Sequence, residues 1–214
     1  MKKKNSKLNV LMIGPARSVK GGMTSVVDEY YEAGIDKLVN LKYIETINDK
    51  NIISKFITER KGFFEFEKSI DKFDVVHIHM ASYRSAFRKA KYIRIAKKCN
   101  KKIIAHMHGA EFKVFLSKCN KKQKKYIINA LNMCDIIIVL SEEWKEFYSK
   151  YCNSNKIKIV YNGTVIPKKI NKDYNNDRAL YLGKFGNRKG IYDLIDAVEN
   201  ISKKYKSFVI YAGR

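Results

Sequence analysis

Short, nearly continuous apolar runs alternate along this chain with longer stretches of helical periodicity. Residues 8–13 read as a buried strand ended by Gly14, and 21–33 as a helix with Val26, Val27, Tyr30 and Tyr31 on one face. A second strand is predicted over 38–47, then a charged helix over 52–70 with Gly62 as a candidate break. The third strand, 73–79, leads into a helix over 85–98. Ala86, Ala90, Ile93 and Ala96 lie on one side of that helix, and Arg84, Arg88, Lys91 and Lys98 on the other. A fourth strand over 102–107 precedes a helix over 121–133 that opens on a basic run, Lys121-Lys122-Gln123-Lys124-Lys125. The fifth strand, 135–140, runs into Ser141, a good helix N-cap, with Glu142 and Glu143 in the first turn, where the helix dipole favours acids. Trp144, Phe147, Tyr148 and Tyr151 form the stripe of that helix, and 156–160 reads as a sixth strand.

Strands that are apolar throughout and alternate with helices predict an α/β fold: a Rossmann-like parallel sheet with helices on both faces. Such sheets bind ligands outside the carboxyl ends of their strands, so the loops after Ile13, His79, Met107 and Leu140 are where chemistry is expected. The turn signal Tyr161-Asn162-Gly163, then Pro167 and a polar stretch, mark a boundary. The expected division is a first domain over 1–165, a linker over 166–176 and the start of a second domain over 177–214. That second part reads as strand 179–182, helix 191–204 and strand 207–212. One β-α-β unit cannot cover both faces of a sheet, so the second Rossmann-like domain is expected to be incomplete.

Composition narrows the function. At 45% hydrophobic and 30% charged residues, the chain of 214 residues can bury a core. A formal charge of +23 favours polyanions: nucleic acid, anionic lipid headgroups or phosphorylated small molecules. Nucleic acid rests on charge alone. The aromatics keep core spacing and do not interleave with cations as a stacking platform would, so no specific nucleic-acid partner is expected. Cys99, Cys119, Cys134 and Cys152 form no C-x-x-C pair, which fits a reducing cytoplasm. The apolar run after the basic N-terminus is too short for a signal-peptide core, and nothing approaches a membrane span. A cytoplasmic location is expected, with any membrane association peripheral.

Three motifs carry candidate chemistry. The first strand runs through Gly14 and Pro15 to Gly21-Gly22, a glycine-rich turn into a helix N-terminus whose N–H groups suit a phosphate or a sugar hydroxyl; an ordinary strand–helix turn reads the same way. All four histidines fall in two H-x-H pairs, His77 with His79 and His106 with His108, each pair on one face of its strand. They admit three readings: a metal site, for which the only nearby carboxylate in sequence is Glu111; buried structural histidines; or an active-site histidine at His108, where Gly109 lets a ligand approach the backbone. Finally, Lys184, Arg188 and Lys189 lie in a glycine-punctuated loop between a strand and a helix, a natural diphosphate site or a solvated basic loop.

In order, these pieces resemble the family-4, GT-B-type retaining glycosyltransferases. The landmarks are Gly21-Gly22, His77-Ile78-His79, His106-Met107-His108-Gly109-Ala110-Glu111-Phe112, Val139-Leu140-Ser141, Val160-Tyr161-Asn162-Gly163, and Gly183-Lys184 with Lys189-Gly190. Each is weak alone; their order and spacing are specific. The first-domain loops look most like members that build bacterial surface polysaccharides. The resemblance implies transfer of a sugar from a nucleotide-diphosphate sugar to a lipid-linked or saccharide acceptor, with retention and without a metal or other cofactor. It places Gly21 and Gly22 by the donor phosphates, His108 by the reacting sugar, Lys184 and Lys189 at the diphosphate, and His79, Gly109 and Glu111 on the acceptor side or in support. An anionic membrane surface at the inner face of the cell membrane is the implied setting.

Two departures qualify it. The family's first basic position is usually Arg, and Lys184 lacks the bidentate fork. The family's paired glutamates, seven residues apart, would come beyond Arg214, so the sequence reads as a front portion of such an enzyme. The competing expectation is a non-catalytic sugar- or membrane-binding module or inactive remnant lacking the donor half.

Overall fold

The computed structural model describes residues 7–163, 166, 178–183, 186, 189–202 and 209–213. Lys184, Arg188 and most of the 166–176 linker lie outside the described residues. The chain divides into two compact units, Met1–Val165 and Ile166–Arg214.

The first unit holds a six-stranded sheet in the order β2-β1-β3-β4-β5-β6, with every neighbouring pair parallel. The strands are β1 (Asn9–Gly14), β2 (Asn40–Glu45), β3 (Val75–Met80), β4 (Lys102–Met107), β5 (Ile136–Val139) and β6 (Ile157–Ile159). Between them run α1 (Gly22–Glu32), the short α2 (Ile35–Leu38), α3 (Ile52–Ser69), α4 (Arg84–Lys98), α5 (Phe112–Lys118), α6 (Lys121–Met133) and α7 (Glu142–Ser149). This is the α/β, Rossmann-like architecture that the alternation of patterns predicts. Three of these helices, α3, α6 and α7, start where a side chain takes up a free N–H group. Asn51 caps α3, Ser141 caps α7 as its sequence predicts, and Asn120 forms a reciprocal capping box with Gln123 at α6.

Strand periodicity sorts the interior into two faces. Leu11, Ile13, Val76, Ile78, Met80, Ile103, Ala105, Met107, Ile137 and Val139 share one apolar core with Phe66 of α3, Ala90 and Ile93 of α4, Phe112 of α5 and Leu131 of α6. On the alternate face Met12, His77, His79 and His106 are also buried, Ile104, Ile136 and Ile138 are half-buried, and Tyr30 of α1 lies against the histidines. One face is thus packed by hydrocarbon, and the centre of the other is filled largely by imidazole.

The charged helix is not broken at Gly62: α3 is continuous. Gly62 is instead where the helix meets the sheet. A Cβ there would lie 2.2 Å from the Glu45 carbonyl oxygen of β2. Gly62→Ala is therefore expected to destabilise the first unit by about 2 kcal/mol, even though alanine is the better helix former by ~1 kcal/mol, because backbone must move to admit the methyl group. Urea unfolding measures it; a stabilised variant would mean that helix propensity outweighs the contact with Glu45.

Lys89 of α4 is fully buried, and the neighbouring Arg88, expected on the solvent side, is itself mostly covered, with 10% of its side chain exposed. Its ammonium donates to Thr46 Oγ1 at 2.5 Å, and that hydroxyl donates to the Gly14 carbonyl at 2.8 Å. The chain of bonds fastens α4 to the carboxyl end of β1. Burial pushes the Lys89 pKa well below its ordinary range, and Arg88 adds to the effect.

In the second unit, β7 (Arg178–Leu182) pairs in parallel with β8 (Val209–Gly213), and α8 (Ile191–Ser202) falls between them in sequence. No helix among the described residues is long and apolar enough to cross a membrane.

Candidate active site

The histidines of the two H-x-H pairs converge. His79 and His106 are direct register partners on β3 and β4, so their rings lie 5.2 Å apart. His77 stacks on His79 at 4.7 Å, and His108, just past β4, stacks on His79 at 5.0 Å and touches His106 at 4.1 Å between centroids. Parallel pairing and period-two alternation suffice to build this column. Tyr30 of α1 closes it, its hydroxyl 3.4 Å from His106 Nδ1.

Desolvation holds the cluster neutral. Burial pushes His77 and His108 down to about 3 and His106 to about 4, and His79 lies well below its ordinary value. Each of these rings but His106 is also lowered by other histidines, and His79 by Lys89 as well.

One hydrogen bond organises the column: His79 Nδ1 and His108 Nε2 are 2.8 Å apart. His79 Nε2 is buried and has no partner among the described residues. A proton on that nitrogen would be an orphan buried donor, which costs more than a bare ring nitrogen. The favoured tautomer therefore has His79 Nδ1–H donating to His108 Nε2, which leaves the His108 proton on Nδ1 as a donor.

Backbone approaches closely here. A Cβ on Gly109 would lie 2.5 Å from Ser82 Oγ and 3.0 Å from the Ser82 nitrogen, in the loop that follows β3. In that loop Tyr83 has φ of 58°, an uncommon conformation for a non-glycine residue. The Ser82 hydroxyl is itself buried, with no partner among the described residues. Nothing in the sequence singled out Ser82; its place beside Gly109 comes from the pairing of β3 with β4. His108, Gly109 and Ala110 line a small cavity with Leu140, Trp144 and Tyr148.

Gly21 precedes α1 and Gly22 opens it; a Cβ on either would meet nothing within 4 Å. Arg17, in the same loop, is paired with Asp28 at 2.7 Å and stacked on Tyr31 at 4.5 Å. Glu111 sits exposed before α5 and is not among the residues grouped with the histidines. Lys189, in the second unit, is exposed, and its N–H donates to the Gly186 carbonyl at 3.0 Å.

His77, His79 and His106 each offer a ligand nitrogen, all within 4.8 Å of one another, so the metal-site reading of the two H-x-H pairs keeps a geometric basis among the described residues.

A comparison with curated proteins gave no match. Residues 35–166, more than half of the chain, match the family model described as Glycosyltransferase Family 4, and the match spans β2 through β6 with all four histidines. The chain belongs to Glycosyltransferase Family 4.

Proposed function

We propose that this protein transfers a sugar from a nucleotide-diphosphate sugar to a lipid-linked or polysaccharide acceptor, with retention of configuration and without a metal, at the cytoplasmic face of a membrane. The observation that carries the reading is His108: a neutral imidazole oriented by His79, at the carboxyl edge of the sheet, followed by Gly109, whose missing side chain lets the Ser82 loop pack against it. A neutral Nδ1–H donor there suits a sugar hydroxyl or phosphate oxygen that gains negative charge as the bond to the leaving group breaks. Fixed donors placed where charge develops stabilise the transition state more than the ground state.

In this reading the open space over Gly21 and Gly22, at a helix N-terminus, takes the donor phosphates. Lys184 and Lys189 neutralise the departing diphosphate, the task a metal performs in other transferases. His79, Gly109 and Glu111 stand on the acceptor side or support His108, with residues 1–165 as the acceptor-side domain and 177–214 as the beginning of the donor side. The bacterial surface-polysaccharide assignment follows the first-domain loops.

The test has two arms. Calorimetry of the chain with UDP, GDP and ADP is expected to show saturable binding of at least one. The full gene product is expected to turn over at least one donor from a panel of labelled nucleotide sugars. Absence of both would overturn the proposal and leave a sugar- or membrane-binding module as the better reading.

A further inference from the structure

Helix α3 is inverted relative to an ordinary surface helix. Its sheet-facing side is narrow: Gly62, Phe66 and Ser69 are the buried residues. Its outer side carries Ile52, Ile53, Phe56, Ile57 and Phe64, each between 58% and 84% exposed. Their spacing follows one helical stripe, continued by exposed Arg60. A monomer in water has no use for so many large apolar side chains on one face.

The charge beside the ridge points to its partner. The first two turns of α3 hold Lys55 and no acid. Arg60 and Lys68 lie over the rings of Phe56 and Phe64, at 5.6 and 4.3 Å. Across a groove lined by Phe56, Phe63 and Tyr92, α4 presents Arg84, Arg88 and Lys91. The sequence of α4 contains no acidic residue. Of the acids that line the groove, Glu59 is engaged by Arg88 at 3.6 Å. Hydrocarbon beside a surplus of cations complements an anionic bilayer, whose headgroups meet the cations while the ridge enters the acyl boundary. Nucleic acid offers the charge but nothing for the isoleucines.

We propose that the outer face of α3, flanked by the basic edge of α4, docks the protein on an anionic lipid bilayer. The ridge begins just past β2 and α4 begins just past β3, so this face adjoins the carboxyl edge of the sheet, where His108 stands. A lipid-linked acceptor would reach the site from the surface on which the protein rests. The inference deepens the peripheral-membrane part of the proposed function and rests on that reading. Vesicle binding is measured without any transfer, however, so either can fail alone.

The experiment is co-sedimentation of the full chain with phosphatidylcholine vesicles, with or without phosphatidylglycerol. Binding is expected only to the anionic vesicles. The double variant Ile53→Ser/Phe56→Ser is expected to weaken it about tenfold or more, since interfacial binding scales with buried apolar area. Both positions are exposed, so circular dichroism should be unchanged. A second variant, Lys121→Gln/Lys122→Gln, removes charge from α6 and is expected to weaken binding far less. Equal binding to neutral vesicles, equal loss in both variants, or no binding would overturn the proposal. So would a dimer that the α3 variant dissolves, since the ridge would then be an interface between copies of this chain.

Discussion

The first unit is expected to lose its fold cooperatively as the pH falls towards about 5, above the range in which carboxylates titrate. The cause is the histidine column. His77, His106 and His108 lie at about 3, 4 and 3 in the folded protein, with His79 also well below its ordinary value. In the unfolded chain each returns to about 6.5. Above neutrality neither state holds a proton on these rings, and they contribute nothing to pH dependence. As the pH falls through about 6.5, the unfolded chain takes up protons that the folded cluster refuses, and stability declines until the folded values are reached. Each ring costs ~1.4 kcal/mol per pH unit in that window, so His77, His106 and His108 together approach ~6 kcal/mol at pH 5, and His79 acts in the same direction. That is comparable to the whole stability of a domain, ~5–15 kcal/mol.

Among the described residues no carboxylate acts on these rings: the cluster faces Tyr30 of α1 and Lys89 of α4, and the latter makes protonation harder. Urea midpoints between about pH 8 and about pH 4.5 give the slope, and hence the number of protons taken up on unfolding. More than two are expected, and His77→Gln should flatten the slope by close to one. A midpoint indifferent to pH until carboxylates titrate would mean that water reaches the column and that its desolvation is illusory.

Much of this fold is legible before any coordinates. Continuous apolar strands and amphipathic helices specify a covered parallel sheet, and the six strands of the first unit lie where their patterns place them. Period-two alternation puts each H-x-H pair on one face. What it does not reveal is that the two pairs meet, because register between β3 and β4 is a long-range property. The burial of Lys89 is hidden for a different reason: a lysine argues against burial. Its spacing to Ala86 and Ile93 was the available signal, since i, i+3 and i+4 place all three on one stripe. Gly62 drew attention as a weak point in a helix, and it is instead the point of closest packing, a distinction local propensity cannot make. The short helices α2 and α5 lack a repeat long enough to register as periodicity. At the diphosphate loop, Lys184 and Arg188 lie outside the described residues, and the roles of the loop rest on its sequence.

Replacing His108 with alanine is expected to lower sugar transfer by the full gene product by roughly 10²–10³-fold, with the fold retained. The size follows from losing one preorganised donor where charge develops in a desolvated pocket; the retained fold follows from the position of His108 at the rim of the column. The tautomer argued from the buried, unpartnered Nε2 of His79 sharpens the expectation. If His108 presents Nδ1–H, asparagine should rescue in part, because its amide nitrogen overlies Nδ1 of a histidine. Glutamine, whose amide nitrogen overlies Nε2, should not. The same logic runs one residue back. His79 donates from Nδ1 to His108, so His79→Asn should keep more activity than His79→Gln, and both should act on kcat more than on KM, since His79 touches His108 and not the sugar. Equal activity of the asparagine and glutamine variants at position 108 would remove the tautomer argument and leave the hydrogen bond as packing. Undiminished transfer by His108→Ala would remove His108 from the chemistry, and the column of four neutral imidazoles would then be the buried core of an α/β domain whose reacting groups lie elsewhere.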